Sequence, residues 1–134
     1  MLTISSVFAT RDFLRMTSND SHTLVRLIIS NPERIDFPDL PQGEEWYRVV
    51  WQIQGLQPLP DAQSGQPVSQ HGIVTLSTEN FDPLSAMLFA CYSIRTYLEQ
   101  CPEGRAGLLK WKNVPEDPTW GLPAFTPFQP PPGS

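Results

Sequence analysis

Two imidazoles are where catalytic or metal chemistry would start in this chain. His22 and His71 each open an apolar, β-branched run. Brought together on neighbouring strands, with Asp20, Asp82 or Cys91 beside them, they would make a general base or a metal site. Imidazole titrates near neutrality and binds metals through its unprotonated nitrogen. No spacing fixes that geometry, and histidines at strand ends are ordinarily solvated. The other signatures of catalysis are missing: there is no glycine-rich phosphate loop, no GxSxG, no HExxH and no CxxC. Glu44-Glu45 and Glu116-Asp117 are neighbours in loops, not carboxylates held across a cleft. The sequence therefore predicts a protein that is not an enzyme and holds no cofactor or metal. A small-ligand binder or enzyme using His22 and His71 is the weaker alternative.

Cys91 and Cys101 fall ten residues apart on one predicted helix. At 1.5 Å of rise per residue their Cα atoms would lie about 15 Å apart, beyond disulfide reach. Both are expected as reduced thiols, and with them a cytoplasmic location. Met1 to Phe8 lacks the basic start and continuous apolar stretch of a signal peptide. No apolar run approaches the roughly 20 residues that span a bilayer, so no membrane partner is expected.

The strongest candidate for a binding surface is acidic. Between residues 31 and 45 lie Glu33, Asp36, Asp39, Glu44 and Glu45 against the single Arg34, braced by Pro32, Pro38 and Pro41. Trp46 follows at once, and Arg48 two residues later. An aromatic anchor with a charged rim suits a protein interface, and opposite charge speeds encounter. A net charge of −5 and scattered basic residues argue against nucleic acid as partner. A cationic protein is the better fit, with Glu33, Asp36, Asp39, Glu44, Glu45, Trp46 and Arg48 as its contact residues.

These residues need a scaffold, and 134 residues suffice for one domain. Residues 7–17 and 22–30 read as two strands joined by the turn Ser18-Asn19-Asp20-Ser21. The three prolines of 31–45 make that stretch a loop. Trp46 to Gly55 alternates, with Tyr47, Val49, Trp51 and Ile53 on the inward face. Residues 70–78 give a fourth strand. Asp82 caps a helix that opens with Pro83 and carries Leu84, Met87, Leu88, Cys91, Ile94, Leu98 and Cys101 as one apolar stripe. On that phase a charge at Leu88 is expected to unfold the domain. Pro102 and Gly104 end the helix, and residues 107–113 hold one more short strand. The fold expected is α+β: a mostly antiparallel sheet of about five strands, in the order ββββαβ, with one long helix on one face. A single domain over residues 1–128 is expected, with Trp120, Leu122, Phe125 and Phe128 laid against the body and 129–134 a disordered proline-rich tail.

The stretch from Phe81 to Leu98, followed by Leu108-Leu109-Lys110-Trp111 and Trp120-Gly121-Leu122-Pro123, resembles a group of small uncharacterised bacterial proteins. They share a short meander, a helix opening with Asp, and a Trp…Gly-hydrophobic-Pro ending, over about residues 46 to 125 here. In size, charge and layout the chain also resembles the immunity proteins that neutralise bacterial toxins. That resemblance implies a cytoplasmic inhibitor that occludes a toxin or effector domain. A structural or adaptor subunit, perhaps a homodimer joined through the outward face of the strand at 46, is the alternative.

Overall fold

A computed structural model of the chain describes residues 2–18, 20–36, 44–56 and 72–123. Along them run β1 (Val7–Met16), β2 (His22–Ser30), β3 (Glu33–Ile35), β4 (Trp46–Gln54), β5 (Ile73–Asn80), α1 (Pro83–Gln100), α2 (Pro102–Arg105) and β6 (Leu109–Trp111). The α+β reading holds: an antiparallel sheet carries one long helix. Across the sheet the strands run β5-β4-β2-β1-β6. β3 pairs with Trp46–Arg48 of β4 on the edge that β2 uses further along, opposite β5.

β3 was not expected from the sequence. Pro32 stops β2, but the chain stays beside β4 and resumes pairing for three residues. At the break the Ser30 hydroxyl accepts the Val50 N–H at 2.9 Å, standing in for a missing carbonyl of the ladder. The proline thus interrupts the edge without ending it.

Side-chain alternation then divides the sheet. Phe13, Val25, Leu27, Ile29, Val49, Trp51, Ile53 and Leu109 are buried on the face toward α1. The inward set of β4 predicted from its alternation is found there, with Tyr47 partly buried against it.

The α1 cap is as expected: the Asp82 carboxylate accepts the Ser85 N–H and hydroxyl, each at 2.8 Å, and Pro83 opens the helix. The phase is as expected only in part. Ile94, Leu98 and Cys101 of the predicted stripe are buried and Met87 packs against the core, but Ala86 and Ala90 join them facing the sheet while Leu84 is 69% and Leu88 42% exposed. Small side chains at Ala86 and Ala90 let the helix settle close over β4 and β5, and the volume is filled from below by Trp51 and from beside by Tyr97. Leu84 and Leu88 turn outward. The expectation that a charge at Leu88 unfolds the domain is therefore withdrawn.

Both cysteines are free thiols, Cys91 half-buried and Cys101 buried. Desolvation holds both above the ordinary thiol range. Cys101 ends α1 and caps α2, its sulfur accepting the Gly104 N–H at 3.3 Å.

The segment after β6 covers one flank of the core. Trp120 and Leu122 are buried, as their apolar character predicted. Trp120 donates Nε1–H to the Leu109 carbonyl at 3.1 Å. Arg11 lies 4.3 Å above the Trp111 ring and donates to the Trp120 carbonyl, while Arg95 donates to that of Leu122. Phe125, Phe128 and the 129–134 tail lie outside the described residues. Gly121 sits at φ +67°, and a Cβ there would stand 2.4 Å from the Trp111 ring. Gly121→Ala is expected to cost about 1–3 kcal/mol from backbone strain alone, before the ring is displaced. The shift in urea midpoint measures it.

Three carboxylates link stability to acid. The Arg26 guanidinium holds Asp12 below the usual carboxylate value, as the Ser85 N–H holds Asp82 and the Thr119 hydroxyl holds Asp117. A depressed folded-state pKa contributes stability that is whole above the unfolded value, here 3.8, and lost as pH falls through the folded one. Thermal midpoints are expected to hold down to about pH 4 and fall below it. Asp82→Ala should flatten that fall.

Candidate partner-binding site

The sheet face away from α1 carries cross-strand polar pairs over much of its area. Arg26 donates to Asp12 at 2.9 Å, and Gln52 donates to Thr75 at 3.1 Å. These pairs satisfy their groups within the sheet and suit a solvated surface. At the β3 end the character changes.

There Trp46 and Phe81 form a tilted ring pair with centroids 4.6 Å apart. Trp46 opens β4, and Phe81 follows the last residue of β5 in the turn before the α1 cap. Antiparallel pairing of Tyr47 with Asn80 brings the two rings to one end of the sheet. Phe81 is 65% exposed, an unusual position for a phenyl ring beside a tryptophan.

Carboxylates share this end of the sheet with the pair. Glu33 stands across from Arg48 in the β3–β4 register, next to the Ser5 hydroxyl, and Arg48 donates to Glu79 at 3.1 Å. Arg34 lies 3.9 Å from Asp36 and 3.7 Å from Glu45. The Tyr47 phenol donates to Glu45 at 2.6 Å, and the proton shared with that carboxylate raises the phenol above its ordinary value. Glu44 and Asp82 are exposed. Six carboxylates (Glu33, Asp36, Glu44, Glu45, Glu79, Asp82) thus share this end with two guanidiniums (Arg34, Arg48), an excess of four negative charges. Such exposed pairs add little to stability. Their arrangement matters for the field that an incoming protein meets.

Of the residues singled out in the sequence, Glu33, Asp36, Glu44, Glu45, Trp46 and Arg48 are brought together here. Asp39 lies outside the described residues. Phe81, Glu79 and Asp82 were missed as site residues. Their signal was the strand register, which pairs β5 with β4 and which the sequence does not print. His22 is exposed at the start of β2, far along the sheet from this end, and His71 lies outside the described residues. Among the described residues no cluster of three or more His, Cys, Asp or Glu has metal-holding geometry. No helix among them is long and apolar enough to cross a membrane.

Comparison with family models, with curated proteins and with solved structures finds no match to this chain.

Proposed function

We propose that this chain is a protein-binding inhibitor of the immunity type, which acts in the cytoplasm by laying its acidic, aromatic end over a basic surface of a toxin or effector domain. The observation that carries the reading is the Trp46–Phe81 pair at the end of the sheet that also holds six carboxylates. A close aromatic pair supplies apolar contact area at small entropic cost, and interface energy concentrates in such anchors. The negative excess steers a cationic partner in and rejects acidic ones. Occlusion needs no catalytic group, only a surface that stays where the fold holds it. β4 pairs along both of its edges at this end, which keeps Trp46 in place.

Affinity capture from the source cells tests this with three baits. Wild-type protein and an Asp20→Lys/Glu116→Lys control are expected to recover one basic protein in stoichiometric amount. A Glu33→Lys/Glu44→Lys/Glu45→Lys/Trp46→Ala bait, checked for a native melting transition, is expected to lose it. Equal recovery by all three baits would exclude this surface.

A further inference from the structure

Along β5 from the acidic end lies a surface of another kind. α1 rests over β4 and β5, and beside it an open groove of about 480 Å³ runs along the β5 edge. Leu76, Ser77 and Thr78 line it from the strand, Phe89, Tyr92, Ser93, Thr96 and Gln100 from the helix, with Trp51 at its base. None of these residues is charged, in a chain whose net charge is −5.

We propose that this groove and the β5 edge are the interface of a twofold homodimer, in which β5 pairs antiparallel with β5 of a second copy and the two α1 helices pack side by side. Glu79 and Asn80 at the end of β5 are shared with the acidic end; the rest of this surface is not, and its test reads oligomeric state instead of partner capture.

Three observations converge on a second copy as the occupant. The first is the contrast between the two edges of the sheet. β6 is three residues long and carries Lys110, with Lys112 just beyond, the usual protection of an edge against further pairing. β5 has eight residues, no proline, no lysine and one charge, Glu79, near its end. Among the described residues no strand pairs its outer side.

The second observation is chemical self-complementarity. In a twofold contact a surface meets itself, so a charged patch repels its own image. Hydroxyls and carboxamides both donate and accept and can therefore pair with their own kind. The groove offers Ser77, Ser93 and Gln100, and the Thr78 and Thr96 hydroxyls, which donate to the Ala86 and Tyr92 carbonyls, as acceptors, with Leu76 and Phe89 exposed between them. In antiparallel self-pairing Glu79 falls opposite the start of the partner strand, away from its own image.

The third is spacing. A twofold axis normal to the sheet keeps both helices on one face. With α1 seated over β4 and β5, the two helix axes stand two strand spacings apart, roughly 9.6 Å at about 4.8 Å each. Packed helices sit about 8–10 Å apart. The groove is then the half-space that the partner's α1 flank fills, and the sheet runs unbroken through both copies.

Sedimentation velocity on the full chain across the micromolar range tests this. Wild type is expected to sediment as a dimer at the upper end. Leu76→Lys/Phe89→Lys is expected to sediment as a monomer with a native far-ultraviolet spectrum. Thr96→Lys, at an exposed helix position, repeats the test should the double variant fold poorly. Amides of Ile73–Asn80 should exchange more slowly in the wild-type dimer than in the Thr96→Lys monomer. A wild-type monomer throughout the range overturns the proposal, whether the groove is empty or native mass spectrometry finds a peptide or small molecule in it. So does a dimer that survives both the double variant and Thr96→Lys, since it then uses another face.

Discussion

Ile94→Ala is expected to lower the folding free energy by about 2–5 kcal/mol, because it opens a cavity under a helix that cannot collapse onto the sheet. Ile94 is fully buried, and its neighbours on the same helix face, Ala90 and Leu98, are buried with it. The companion variant gives the experiment its edge. Leu88→Asp, on the outer side of α1, should leave the urea midpoint close to that of wild type, within the small range typical of surface substitutions. An unfolded Leu88→Asp would mean that the helix is rotated toward Leu84 and Leu88 after all, while Ile94, which lies on both stripes, stays costly to truncate either way.

Trp120→Ala is expected to cost about 3–5 kcal/mol, at the upper end for single core truncations. The ring is buried, its Nε1–H is bonded to the Leu109 carbonyl, and its own carbonyl is held by Arg11. The backbone at Trp120 has φ +54°, in the left-handed region that a bulky side chain enters only at a cost. Packing and hydrogen bonds hold it there. Trp120→Gly removes the same ring but relieves the backbone. It should be the less destabilised of the two, and equal values would argue against strain at this position. Chemical denaturation of the two variants side by side gives the comparison.

The strands and the helix cap were legible because their signals are local. Alternation in β4 and the Asp82-Pro83 opening each rest on a few adjacent residues. The phase of α1 was legible in its second half, where Ile94, Leu98 and Cys101 are buried as expected, and not in its first, for a reason that applies to many helices laid on sheets. Apolar residues surround this helix on several sides, and hydropathy favours the bulky leucines over alanine as core. Close approach to a sheet rewards the small residue instead, so Ala86 and Ala90 turn inward and Leu84 and Leu88 outward. β3 escaped notice because Pro32 forbids a ladder bond at one point only, and pairing restarts beyond it.

At the candidate site, charge and the single tryptophan were visible as composition. Its partner ring was not: Phe81 lies thirty-five residues from Trp46 and meets it only through the β4–β5 register. The cross-strand pairing of Arg48 with Glu79 is hidden for the same reason. Residue types announce what a surface would bind, but topology decides which of them share that surface.

The most direct test of the binding surface is a hydrogen-exchange footprint of the protein with the basic partner that the wild-type bait recovers. Slowed exchange is expected at residues 33–36, 44–46 and 79–82, with the β1–β2 turn and the outer side of α1 unchanged. Protection confined to other segments, with 44–46 and 79–82 exchanging as in the free protein, would contradict the assignment of the acidic, aromatic end as the contact surface.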